Sequence, residues 1–160
     1  MDTINNIIKH LELLPHPEGG FYKESYRSSL TIGEEVLPEG YQGDRNVSTA
    51  IYFLLTSDNF SAFHRIRQDE AWHFYKGSPI SLHVITKNGV YEKHIIGSEL
   101  ELGQVPQYVV KGGDWFASEV SVKNSYSLAG CTVSPGFDFA DFEMAKRADL
   151  IKEFPDHKDS

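Results

Sequence analysis

Apolar residues recur at helical spacing near the start of the chain: Ile4, Ile7, Ile8, Leu11 and Leu14 fall on one side of a 3.6-residue period, behind the possible caps Asp2 and Thr3. The spacing predicts a short amphipathic helix over residues 4–14, closed by Pro15 and Pro17. After Gly19-Gly20 the period drops to two. Phe21 to Arg27 alternates two faces, Tyr22, Glu24 and Tyr26 on one and Phe21, Lys23, Ser25 and Arg27 on the other. Leu30 to Asn46 has little periodicity and reads as a long loop or ragged hairpin. Thr49 to Leu55 is an apolar run suited to a strand covered on both faces. Further strands are expected at Ala62–Ile66, Glu70–Tyr75, Ile80–Thr86, Val90–Ile96, Pro106–Val110, Trp115–Val122 and Tyr126–Val133, with Asn88-Gly89 a two-residue hairpin turn. The tail returns to helical spacing at Phe139, Phe142, Ala145, Leu150 and Ile151, and Asp156 to Ser160 is expected to fray. Short strands at this spacing point to an all-β sandwich or barrel.

Composition narrows the class of partner. The 160 residues carry 15 basic and 23 acidic side chains, a net charge of −8, which disfavours nucleic acid and anionic membrane, since binders of those need clustered Lys and Arg. With 40% hydrophobic residues the chain can build a core, and its length fits one domain over residues 1–160, with a core at about 14–139. No apolar run reaches membrane-spanning length and no signal-peptide pattern opens the chain, so a cytoplasmic protein is expected. The single cysteine, Cys131, forbids an internal disulfide and reads as a small core residue.

Ionisable and aromatic side chains are densest from His64 to Gly77. On a strand, Ala62, His64 and Ile66 share a face, and a turn at Gln68-Asp69 brings Glu70 back beside His64. A His and a Glu on adjacent strands inside a barrel can hold a metal, or can divide acid and base roles once burial shifts their pKa values. His16, in Pro15-His16-Pro17-Glu18-Gly19-Gly20, reads as part of a structural turn.

The series Asp58-x5-His64-x-Ile66-x3-Glu70-x6-Gly77 resembles the first motif of the cupin superfamily. Leu14 to Tyr22, Asp69 to Phe74 and Ser127 to Phe139 are similar to signatures of its cupin 5, or DUF985, subfamily, and the likeness runs from about Ile7 to Pro155. The resemblance implies a double-stranded β-helix, a jelly-roll barrel with a short N-terminal helix and a short C-terminal helical segment. It also implies a homodimer, with His64 and Glu70 at the barrel mouth. The subfamily has been likened in shape to sugar-nucleotide epimerases, an analogy of fold alone.

Two departures bear on chemistry. Ile66 stands where the motif has its second His, and in the second motif, Val110 to Trp115, Trp115 stands where the last His belongs. Two of the usual metal ligands are absent, so no cofactor is expected and a divalent metal would be weakly held. His73 could compensate only if a bulge turned it inward. The leading reading is a metal-independent isomerase or epimerase acting by proton transfer on a carbohydrate-like small molecule. His64 and Glu70 are its catalytic pair, and Tyr22, Glu24, Tyr26, Trp72, His73, Phe74 and Trp115 its ligand-binding candidates. A ligand-binding or sensory module, a metal-dependent dioxygenase, and a barrel filled by its own side chains remain as alternatives.

Overall fold

The computed structural model describes residues 2–146. Helix α1 spans Asp2–His10 and ends earlier than the apolar spacing suggests. Glu12 adopts a left-handed conformation (φ 55°), and the Leu13 amide reaches back to the Ile8 carbonyl, so the helix is closed by its own C-cap before Pro15 is reached.

The strands are β1 (Leu14–Pro15), β2 (Phe21–Arg27), β3 (Thr31–Ile32), β4 (Arg45–Asn46), β5 (Thr49–Thr56), β6 (Ser61–Arg65) and β7 (Asp69–Gly77), then β8 (Ile80–Ile85), β9 (Tyr91–Ile96), β10 (Gln107–Val110), β11 (Trp115–Val120), β12 (Tyr126–Ser134) and β13 (Glu143–Met144). A six-stranded sheet runs β1-β2-β5-β12-β7-β10 and a five-stranded sheet runs β13-β6-β11-β8-β9, with every paired strand antiparallel. The chain crosses between the sheets repeatedly, giving the expected jelly-roll barrel. The Leu30–Asn46 segment is the ragged hairpin, closed by the short pair β3 and β4.

Phe53, Trp72, Leu82, Val84, Ile96 and Phe116 belong to one buried hydrophobic core. Each fully buried side chain of this size contributes about 1.5–3 kcal/mol. The β8–β9 turn differs from expectation. Thr86 N–H bonds to the Val90 carbonyl, which leaves Lys87, Asn88 and Gly89 as a three-residue loop with Gly89 left-handed at φ 82°.

The tail also differs. Phe139–Asp141 forms one 3-10 turn capped by Asp138, followed by β13 instead of a continuing helix. Asp141 explains the stop: it is buried and takes a bidentate bond from Arg45 (2.8 Å to each oxygen), so this stretch is held by side chains. The expectations for Leu150, Ile151 and Asp156 to Ser160 lie outside the described residues. No helix among the described residues is long and apolar enough to cross a membrane.

Candidate functional site

Against this core, with Phe53 and Trp72 in its wall, lies a cavity of about 430 Å3. His64 reaches it from β6 and Glu70 from β7. These strands do not pair and belong to different sheets, and both side chains line the same cavity. The crossover at 66–68 enforces this. Gly112 lies against the Arg67 backbone, where a Cβ would come within 2.0 Å of the carbonyl oxygen, and Gln68 is tied by its amide to Asp141 and the Gly136 carbonyl.

The partner of His64 is Glu18. His64 Nδ1 donates to the Ala62 carbonyl at 2.7 Å, so that nitrogen carries a proton in either charge state. Nε2 lies 2.5 Å from Glu18 Oε2, in ion-pair contact though without hydrogen-bond alignment. Burial pushes the His64 pKa down, but the Glu18 carboxylate, helped by the Ala62 carbonyl and then by Glu70, outweighs it, and the net direction is up.

The Glu18 loop is built for this approach. His16 N–H bonds to Gly20 O, Gly19 N–H to His16 O, and Ala62 N–H to Glu18 O at 2.8 Å, which pins the turn to β6 two residues before His64. Gly19, at φ 110°, leaves no room for a side chain, because a Cβ would sit 2.0 Å from the Phe60 carbonyl oxygen. His16 Nδ1 accepts the Glu18 N–H at 3.1 Å, which uses its lone pair; its 3.5 Å approach to Glu18 Oε1 is therefore a contact between two acceptors. Burial lowers its pKa, so His16 is a neutral ring in the cavity wall.

Glu70 is pushed up to about 7 from 4.5 by burial and then by the Glu18 charge. His64, the Cys131 thiol and the Trp72 indole oppose that rise. Trp72 acts on the carboxylate from outside hydrogen-bond geometry, since its Nε1 has no hydrogen-bond partner. Cys131 is buried and its thiol is held well above its ordinary pKa by burial and Glu70, so it is no nucleophile.

Tyr22, Glu24 and Trp72 line the cavity, while four other candidates stand outside it. The β2 register shifts between Glu24 and Tyr26, so the bulge turns Tyr26 outward, where it is 56% exposed, and brings Arg27 to the cavity instead. His73 bonds Thr132 Oγ1 (3.0 Å) and Gln107 on the outer face, because β7 stays regular from Glu70 to Phe74. Phe74 packs against the core without reaching the cavity. Trp115 lies under the Arg65 guanidinium at 4.3 Å, and its neighbour Phe116 is the ring against His64, at 4.1 Å. Sequence reasoning misses Glu18, His16 and Arg27, and the wall of Phe137, Phe139 and Phe142. The signal for the first two is the Pro-His-Pro-Glu-Gly-Gly motif, whose glycines force the turn.

Residues in this cavity do not fit a cupin metal. Ile66 is buried in its wall, Phe116 covers His64, and Nε2, the remaining ligand atom of His64, faces Glu18. No group of three or more His, Cys, Asp or Glu side chains among the described residues is arranged to hold a metal ion.

Residues 5–145 match the family described as the cupin superfamily (DUF985). The chain is 31% identical to an uncharacterized protein of Saccharomyces cerevisiae, over 94% of its own length and 79% of the relative's. Among solved structures it is similar to a hypothetical protein from Leishmania major (TM-score 0.89, 40% identity, 96% and 93% of the two chains covered). A protein from Shewanella oneidensis is also similar (TM-score 0.85, 37% identity, 97% and 92% covered). Oxalate decarboxylase of Bacillus subtilis shares the fold at 10% identity (TM-score 0.56), with 91% of this chain and 35% of that one covered.

Proposed function

This chain belongs to the cupin superfamily, in its DUF985 branch, and on that premise we propose that its cavity moves protons without a protein-bound metal, as an isomerase or epimerase of a small carbohydrate-like molecule. The observation that carries this reading is one geometry: a Glu18-backed His64 and a Glu70 with a pKa of about 7 face the same space from different sheets.

Near neutral pH, Glu70 divides between acid and carboxylate, while Glu18 strengthens the hold of His64 on its proton. The carboxylate can take the proton from a carbon next to a carbonyl, whose electron pair moves onto the carbonyl oxygen. The imidazolium can return a proton to that carbon from Nε2, once the substrate takes the place of Glu18 at that atom. The product is an isomer of the substrate, with no oxidant and no leaving group. Tyr22 and Trp72 supply apolar wall for the ring of the substrate.

The test is a thermal-shift screen of the protein with sugars, nucleotide sugars, keto acids and divalent metals, followed by incubation of each hit in D2O. Solvent deuterium should enter the recovered ligand, and His64→Ala and Glu70→Gln should stop it. A stoichiometric transition metal lost on His64→Ala would overturn the metal-free reading in favour of an oxygen-using cupin. The aromatic wall of Phe137, Phe139 and Phe142 favours a second reading, a ligand-binding module. Under that reading the ligand stabilises the fold by mass action and never exchanges hydrogen.

A further inference from the structure

Both cations among the described lining residues are already held by carboxylates. Arg27 binds Glu24 through Nε and Nη2, with a closest approach of 2.6 Å, and reaches Asn46 Oδ1 at 2.7 Å and the Phe137 carbonyl at 3.1 Å. His64 is paired with Glu18. Glu70 and Asp138 also line the cavity, and no ion pair to a cation is found for either among the described residues; Asp138 Oδ1 accepts the Ala140 N–H. A phosphate or carboxylate entering here would shed its water against surplus negative charge, with no free cation among the described lining residues to receive it.

Much of the remaining wall is aromatic. The His16 ring lies 4.6 Å from Tyr22 and 5.9 Å from Phe53, and Phe139 sits 4.8 Å from Phe137 and 5.8 Å from Phe142. Ring faces and a carboxylate are the surroundings that hold a desolvated organic cation.

We propose that the cavity binds an organic ammonium, a protonated amine on a ring-sized apolar body, with its charge at Glu70 and its body against Tyr22, Phe139 and Phe142. This deepens the assignment of the cavity as a ligand site and rests on that assignment alone, not on any proton transfer within it. Bound ammonium favours the carboxylate of Glu70. The groups facing that carboxylate are Glu18 from the β1–β2 loop, His64 from β6, Cys131 from β12 and the Trp72 indole from its own strand. Affinity therefore rises as pH climbs through about 7 and Glu70 gives up its proton, and loss of the His64 proton acts in the same direction.

Three matched probes test this by calorimetry on the whole protein: benzylamine, benzyl alcohol and benzoate, at several pH values on either side of neutrality, where benzylamine keeps its proton. Benzylamine should bind on the order of tenfold more tightly than benzoate. Its affinity should increase with pH while that of benzyl alcohol stays level, and Glu70→Gln should remove the advantage and make the pH profile shallower, leaving only the part due to His64. Benzoate binding as tightly as benzylamine would overturn the proposal, as would failure of all three to bind. If Glu70→Gln does not fold, the wild-type profile decides, and a level benzylamine profile sinks the idea. Deuterium exchange plays no part in these readouts, so the ammonium assignment and the isomerase reading can fail separately.

Discussion

Glu70 and His64 each tie stability to pH, and both effects have the same sign. Between 4.5 and about 7 the folded protein retains a proton on Glu70 that the unfolded chain has released, so stability falls as pH rises through that window and is level above it. The shift corresponds to about 3 kcal/mol as an upper bound, because the cavity side of the carboxyl is open to water. Glu70→Gln should therefore be more stable than the wild type above neutrality and have a flatter profile in urea melts; a variant equally or less stable there would contradict the burial argument. His64, raised in the folded state, adds stability that is complete below its unfolded value near 6.5 and disappears as pH rises through the folded value. His16, lowered by burial, works the other way and costs stability as pH falls below 6.5. In Glu18→Gln the burial of His64 is opposed only by the Ala62 carbonyl and Glu70, so its ring should titrate lower than in the wild type in an NMR titration, and an unchanged titration would contradict the pairing.

At the level of elements, the site depends on a tight turn and a bulge. Gly19→Ala would place a methyl 2.0 Å from the Phe60 carbonyl oxygen at φ 110°, where backbone must move, and it should cost more than about 2 kcal/mol and lower the His64 pKa by displacing Glu18. Gly130→Ala meets an equally close neighbour, but that atom is the Tyr75 hydroxyl, at the end of a side chain 54% exposed. It should cost under about 1 kcal/mol, since the ring can swing away. Paired denaturant melts test the contrast, and equal losses would refute it. These elements also mark the limit of what the sequence discloses. The strands are legible because alternation and Gly or Pro punctuation are local, and the shared face of Tyr22 and Glu24 follows from it. The bulge between Glu24 and Tyr26 shifts the face by one residue without any Gly or Pro to announce it. The Glu18–His64 contact joins positions 46 residues apart through a fold that alternation does not specify. Trp115 stands one residue away from the ring that meets His64, because motif spacing gives a position and leaves open which neighbour points inward.

For the whole molecule, the homodimer that the family resemblance implies is open to direct measurement: light scattering should give about 36 kDa, twice the 18.1 kDa of one chain, and a mass near 18 kDa would refute it. The cavity itself joins distant parts of the chain. Glu18 comes from near the beginning, and the Phe137 to Phe142 wall is held by the Arg45–Asp141 clasp, whose ends are 96 residues apart in sequence. Central strand β12 lies between β5 and β7, both made long before it. On a ribosome, then, β5 and β7 emerge with hydrogen-bonding edges that nothing yet covers, and they wait several seconds at ordinary elongation rates for the strand that joins them. The pocket lacks its Phe137 to Phe142 wall until Phe142 is out, so the growing chain cannot be rescued early by its own ligand. Any helper that shields those edges has its work during synthesis, before there is a site to bind.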